Sequence, residues 1–320
     1  MAQAGPGRSD RAGLSWFEIM ELFPDDATAE AWFEDQRWPE GRFCPDCGST
    51  DTHDVPKRKP MPYRCRTCRA YFSVRKGTVM QSSKLGCRLW AVAIYMMVSG
   101  IKGTASMQMY RALKIRQATA WHLQHRIRTA MAEGDTRPLP GPVEVDETFM
   151  GGKEKNKHAS KRLHLGRSGV GKVAVAGVKD RPSKRVRAVV VPATDQATLQ
   201  PFVRSHVAQE AEVYTDEHGA YIGLPHHQTV RHSVGEYVRG QAHTQGIESF
   251  WALLKRGYYG TYHRMSPKHL QRYIHEFAGR HNIRDLDTIA QMTVVARGMV
   301  GRRLRYADLI AEPEHQLPLA

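Results

Sequence analysis

Residues 143–152, VEVDETFMGG, decide how the second half of this chain is read. Val143 and Val145 alternate with polar neighbours, which predicts a strand with one buried face. Glu144, Asp146 and Glu147 crowd into the same strand, and two glycines then lead into a basic run. Acids usually scatter over solvated surface. Three together in a basic chain predict either an ordinary strand end or a place where a cation is held.

Downstream, KVAVAGV (172–178) and RVRAVVVPA (185–193) read as two more strands. DQATLQPFVRSHV (195–207) reads as a helix capped by Asp195. AEVYTD (211–216) is a fourth strand, HQTVRHSV (227–234) a fifth, and GIESFWALLKRGYYG (246–260) a helix. The order is α/β, and the short connections make the first three strands an antiparallel meander. If the first and fourth strands are neighbours, Asp146 and Asp216 emerge at one sheet edge. A helix crossing that edge brings Glu248 to them. Three carboxylates converging in a cationic protein repel one another unless metal ions neutralise them. Paired Mg²⁺ or Mn²⁺, which take oxygen ligands and retain waters, suit that task. On the late helix Glu248, Ala252 and Lys255 share a face, beside an apolar stripe of Ile247, Trp251 and Leu254. Glu144, Glu147 and Glu217 read as strand-end decoys, and His218 and His243 as surface or hydrogen-bonded histidines.

Upstream, TRPLPGP (136–142) reads as a linker. Before it, Cys44-Pro-Asp-Cys47 and Cys65-Arg-Thr-Cys68 are separated by seventeen residues, the spacing of a zinc ribbon. Each CxxC turn aims two thiolates at one point, and four complete a tetrahedral shell around structural Zn²⁺, or around iron in the same site. Cys87 lies outside the spacing and reads as a small buried hydrophobe. Lys57, Arg58, Lys59, Arg64, Arg66, Arg69, Arg75 and Lys76 make the ribbon basic, so it is expected to touch phosphate. GTASMQMYRALKIRQATAWHLQHRIRTAM (103–131) has a helix-turn-helix layout with its turn at Lys114–Ile115, though any amphipathic hairpin looks similar. Ala120, Leu123, Ile127, Ala130 and Met131 form its packing stripe. Gln117, Thr119, His122, Gln124, Arg126 and Arg128 remain for the exposed face. Residues 15–38 read as one or two short helices.

The whole chain has 320 residues, with 47 Lys and Arg against 32 Asp and Glu, a net charge of +15. Its length predicts two or three domains, and its charge a polyanionic partner such as nucleic acid. The most apolar run, LWAVAIYMMVSG (89–100), is too short for a bilayer, and no secretory signal is visible near the N-terminus, so a cytoplasmic protein is expected. GRSGVGKV (166–173) nearly spells a phosphate loop. However, Val173 replaces the hydroxyl, and a strand follows where a helix should open, so an ATPase is excluded. The loop from 153 to 172 carries seven Lys or Arg against one Glu. It reads as a DNA-contacting arm that includes Lys153 and Lys155.

CPDCGS, YRCRTCRAYFSVRKGTVM, TAWHLQHRIR, VEVDETFMGGK, VYTDEHGAY and HTQGIESFWALLKRGYYGTYHRMSPKHLQRYIHEFAGRHNIRD together resemble bacterial insertion-sequence transposases that join an N-terminal zinc ribbon to a DDE catalytic domain. The resemblance runs from about residue 16 to 286. It implies a ribonuclease-H-like catalytic fold that cuts and joins duplex DNA at element ends with divalent metal. It also implies a homodimer or larger multimer on DNA, working at the nucleoid. By position, Asp146 and Asp216 are the two aspartates, Glu248 the third acid and Lys255 the basic residue that follows. Relatives commonly carry Asn where this chain has Gln245, which makes that amide the alternative third position. The expected organisation is short helices over 1–40, a ribbon over 41–78, a helix-turn-helix module over 79–135 and the linker over 136–142. The catalytic domain follows over 143–286, then a basic helical tail over 287–320. A non-catalytic regulator or an inactive transposase remnant, using only the ribbon and the helical module, is the competing reading, and a host repair nuclease a third.

Overall fold

A computed structural model describes residues 11–152, 158–162, 169, 171–230 and 243–311. The chain divides into two compact units, Met1–Ala132 with Ile283–Ala320, and Glu133–Asn282. No helix among the described residues is long and apolar enough to cross a membrane.

The first unit begins with α1 (Trp16–Leu22), started by a capping box between Ser15 and Glu18, and α2 (Asp26–Arg37), capped by Asp25. A small antiparallel sheet of β1 (Thr52–Asp54), β2 (Tyr63–Cys65) and β3 (Tyr71–Phe72) follows. Next come α3 (Cys87–Ser99), α4 (Ser106–Leu113) and α5 (Gln117–Ala130). Ten of the thirteen residues of α3 are buried, so this helix is apolar on every side because others surround it. That accounts for the apolar run at 89–100. Lys114, between α4 and α5, is left-handed (φ 53°), which makes the sharp turn expected there.

The second unit is built on a five-stranded sheet. Its strands are β4 (Val143–Met150), β5 (Val173–Asp180), β6 (Val186–Val191), β7 (Val213–Thr215) and β8 (His227–Thr229). They lie in the order β6-β5-β4-β7-β8. β4, β5 and β6 pair antiparallel, whereas β7 and β8 run parallel to β4. The parallel register needs a crossover, supplied by α6 (Gln196–His206), whose Asp195 cap accepts a hydrogen bond from the Thr198 amide at 2.9 Å. Val143 and Val145 face the apolar cluster that holds Leu199 and Val203 of α6. Alternation sends the even-numbered residues of β4 to the other face, where α7 (Gln245–Gly257) and α8 (Pro267–Asn282) pack. A π-helical turn, Tyr258–Tyr262, joins those helices.

The last helices, α9 (Thr288–Arg297) and α10 (Tyr306–Ile310), do not form a detached tail. Met292, Val295 and Met299 lie in one core with Trp90, Ile94 and Ile127, so the chain returns from the second unit to complete the first. Burying such side chains contributes about 1.5–3 kcal/mol each. The basic helical segment expected over 287–320 thus packs its apolar stripe into the core of the first unit. Residues beyond 311 lie outside the described residues.

Candidate functional site

The four cysteines meet. Their sulfurs all lie within 4.8 Å of one another, with Cys44 to Cys68 and Cys47 to Cys65 both at 3.6 Å. A tetrahedron with metal–sulfur bonds of about 2.3 Å has edges near 3.8 Å, so this set could bind Zn²⁺. The Cys68 amide donates to Cys65 Sγ at 3.5 Å and lowers that thiol to about 6, toward the thiolate a metal requires. Among the described residues no other group of His, Cys, Asp or Glu gathers this tightly.

The acids of the second unit are arranged more loosely. β4 and β7 pair Val143 with Val213 and Glu144 with Tyr214, and the same register two steps on sets Asp146 beside Asp216. Asp146 lies on the α7 face, where its Oδ2 accepts a hydrogen bond from Trp251 Nε1 at 2.9 Å. Burial, followed by the charges of Glu147 and Asp216, pushes the Asp146 carboxyl up to about 7. Glu147 points to the opposite face and accepts from the Tyr221 hydroxyl at 2.7 Å. His218 lies 3.8 Å from Glu147, and its amide donates to Asp216 at 3.0 Å.

Glu248, Ala252 and Lys255 are all exposed, on one face of α7. Glu248 accepts from Thr244 Oγ1 at 2.9 Å and stands one turn before Trp251. The three acids therefore do not gather as tightly as the cysteines do. Gln245 is the exposed first residue of the helix.

Two contributors escaped the sequence reading. Gly177 of β5 pairs with Asp146, and a Cβ there would lie 2.5 Å from Trp251 Cζ2 and 2.6 Å from Cη2. A glycine opposite the aspartate is what lets the indole lie flat enough to reach it. We expect Gly177→Ala to destabilise the protein by about 1–3 kcal/mol in denaturant unfolding. Trp251→Phe, which removes both clashing carbons, should make the double variant's loss much less than additive. Strict additivity would show that the ring does not rest on that position. The other contributor is Glu144, 2% exposed, which sequence set aside as a decoy. Its signal was present: an acid between two buried valines needs a partner, and Lys179 and Arg181 stand at the end of the neighbouring strand.

The nucleic-acid contacts expected in the first unit divide sharply. Arg126 is 8% exposed, donates to the Gln81 carbonyl, and lies 5.4 Å from the Trp90 ring centre. Arg128 and Gln124 are buried too, the latter donating to the Thr104 carbonyl. His122 is half-buried, 3.3 Å from the Leu304 carbonyl and edge-on to Tyr306. Upstream residues Gln81, Trp90 and Thr104 cover Arg126 and Gln124, and the closing segment at Leu304 and Tyr306 covers His122, so a face that looks polar in isolation is largely taken up. Arg75 donates to the carbonyls of Ser83 and Leu85, and Lys76 pairs with Asp46. These four, Arg75, Lys76, His122 and Arg126, serve the interior or local pairing rather than a free surface. Arg69 and Gln117 are exposed. The start of α5 and the turn before it form an open cleft of about 540 Å³ lined by Tyr110, Arg111, Lys114, Ile115 and Arg116. Lys153 and Lys155 lie outside the described residues.

Residues 138–282 match the model of the ISXO2-like transposase domain, and residues 24–71 that of the transposase zinc-ribbon domain. The chain belongs to this family of insertion-sequence transposases. An uncharacterised protein in transposable element ISH50 of Halobacterium salinarum is 25% identical over 262 residues, covering 77% of this chain and 87% of the relative. An uncharacterised transposase-like protein of Haemophilus influenzae is 30% identical over 102 residues, covering 31% of this chain and 81% of the relative. Membership in this transposase family, with its zinc ribbon, implies DNA as the partner and a nuclease or strand-transfer role in general terms.

Proposed function

We propose that this transposase is a DDE enzyme. In this reading it cleaves the ends of its element and joins the freed 3′-hydroxyls to target DNA. The observation that carries the proposal is the juxtaposition of Asp146 and Asp216 on parallel neighbouring strands, with the Glu248 helix tied to Asp146 through Trp251. The strand order, an antiparallel meander whose first strand pairs in parallel with the fourth, supports a ribonuclease-H-like domain.

Asp146, Asp216 and Glu248 would hold Mg²⁺ or Mn²⁺, with the Gln245 amide as the alternative third donor. The donor set fits: all are oxygen ligands, and the half-buried Asp146 carboxylate feels the charges of Glu147 and Asp216. When bound, paired ions supply charge neutralisation at the attacking and leaving oxygens. The protein's own groups do the rest. Trp251 fixes one Asp146 oxygen and leaves the other for a ligand. Lys255, exposed two turns after Glu248, contacts a DNA phosphate. In the first step, water attacks the scissile phosphorus as the bond to the 3′-oxygen breaks. In the second, that 3′-hydroxyl attacks a target phosphodiester and displaces another 3′-oxygen. No covalent protein intermediate forms.

Exposed Arg111 of α4, Lys114 in the turn, and Arg116 and Gln117 at the start of α5 present duplex-binding groups where a recognition helix enters a groove. The acting species is a homodimer or larger multimer on DNA at the nucleoid. An element-end duplex incubated with protein and Mn²⁺ tests the proposal. Nicking followed by joining to a second duplex is expected. A shifted band that is never cut would leave only a DNA-binding regulator, and cutting without joining would indicate a nuclease.

A further inference from the structure

We propose that Glu144 is a positioning residue that seats the N-terminus of α7 on the sheet and thereby sets where Glu248 stands relative to Asp146; this rests on the catalytic reading above. The first turn of a helix carries amide donors without partners inside the helix. A Ser, Thr, Asp or Asn at the cap normally accepts one of them. In α7 the cap residue is Thr244, whose side chain accepts no first-turn amide, and its hydroxyl donates to Glu248. The cap comes from the sheet. Glu144 Oε2 accepts the Ile247 amide at 2.8 Å, although 103 residues separate the two in sequence. An anion here also meets the positive end of the helix dipole.

The contact is built from several directions. Glu144 Oε1 accepts from Arg181 Nε at 2.9 Å and lies 3.3 Å from His243 Nδ1. Arg181 also donates to the His243 carbonyl, and its guanidinium sits 4.2 Å from the Tyr214 ring centre. Lys179 Nζ donates to the Gly246 carbonyl at 3.0 Å. Gly246 is the residue that permits this approach, since a Cβ there would lie 2.6 Å from Glu144 Oε2 and 2.9 Å from Lys179 Nζ. Glu144 and Asp146 occupy the same face of β4, and α7 touches both, at Ile247 and at Trp251. A buried carboxylate with a charged partner, an amide donor and a glycine cut to its shape has a defined task, which is to fix the helix end carrying Glu248.

Full-length wild type, Glu144→Gln, Gly246→Ala and Asp146→Asn should be compared for melting temperature, end binding and the Mn²⁺ concentration giving half-maximal cleavage. Glu144→Gln can still accept the Ile247 amide but loses its charge for Arg181. Gly246→Ala keeps the charge but puts a methyl where Glu144 Oε2 and Lys179 Nζ lie, so those groups must shift and the seat of the helix end is disturbed. Both are expected to bind element ends like wild type and to need about 10–100-fold more Mn²⁺, with cleavage recovering when the metal saturates. A purely structural role would reduce the active fraction without moving that midpoint. An unmoved midpoint in whichever of the two variants melts like wild type, with Asp146→Asn inactive, overturns the inference and leaves the catalytic reading intact. If Asp146→Asn cuts like wild type, the catalytic reading falls first.

Discussion

Asp146→Asn is expected to abolish strand cleavage, by at least about a thousandfold, while element-end binding stays unchanged and the zinc-loaded protein without Mg²⁺ or Mn²⁺ becomes more stable. The first part follows from removing a ligand oxygen where charge neutralisation is needed. The gain in stability follows from burial. The Asp146 carboxyl is pushed up to about 7 by desolvation and then by the charges of Glu147 and Asp216. In the unfolded chain it ionises near the ordinary aspartate value of about 3.9. Between those values the folded protein binds more protons than the unfolded one. Stability therefore falls as pH rises through this window and levels off above about 7. Asn escapes the penalty, and its carbonyl can still accept from Trp251. Melts of the zinc-loaded protein at pH 5 and pH 8, without Mg²⁺ or Mn²⁺, should converge for the variant and diverge for wild type. Mn²⁺ should raise the wild-type melting temperature at pH 8 and leave the variant unmoved. A cutting variant, or equal pH sensitivity in both proteins, would remove Asp146 from the site.

Loss of zinc is expected to be equally severe in the first unit. Structural sites of this type contribute on the order of 10 kcal/mol to folding, more than a small ribbon core supplies by itself. Cys44 and Cys65 are buried, so serine at either would disturb packing as well as metal binding. Cys47 and Cys68 are exposed, and Cys47→Ser or Cys68→Ser reports mainly on the metal. Trp38 supplies the readout, with its ring centre 6.3 Å from that of Phe43, 6.1 Å from Tyr63 and 6.0 Å from Phe72 across the ribbon. A strong chelator, or either substitution, should solvate that cluster, shift tryptophan emission to the red and weaken binding to element ends. One zinc should be released per chain. Unchanged emission and affinity after chelation would show that the ribbon holds its shape without metal.

Much of the candidate site was legible in the sequence, for local reasons. A CxxC turn is a local geometry, so the spacing of Cys44, Cys47, Cys65 and Cys68 announced the sulfur cluster without any tertiary information. Alternation placed Val143 and Val145 inward, whereas the adjacency of the first and fourth strands, which brings Asp146 toward Asp216, was only a condition in the sequence and came from the sheet order. The helical period likewise put Glu248, Ala252 and Lys255 on one exposed face. Local chemistry failed where burial depended on distant chain. Arg126 and Gln124 look like part of a polar recognition face until Gln81, Trp90 and Thr104, distant in sequence, supply their partners. Glu144 looks like a spare acid until Ile247 and Arg181 arrive from two other elements. Gly177 looks like any strand glycine until the Trp251 ring lies against it.

The sequence by itself determined the periodic and the covalently near: which segments form strands and helices, where four thiolates converge, and that the chain carries excess positive charge. Tertiary structure alone decided what each of the neighbouring acids meets, which arginines are spent inside, and which carboxylate caps a helix. The physical reason is that hydrogen-bond partners and desolvation are properties of the assembled environment. Two residues with the same formula and the same local pattern acquire opposite roles according to what packs against them.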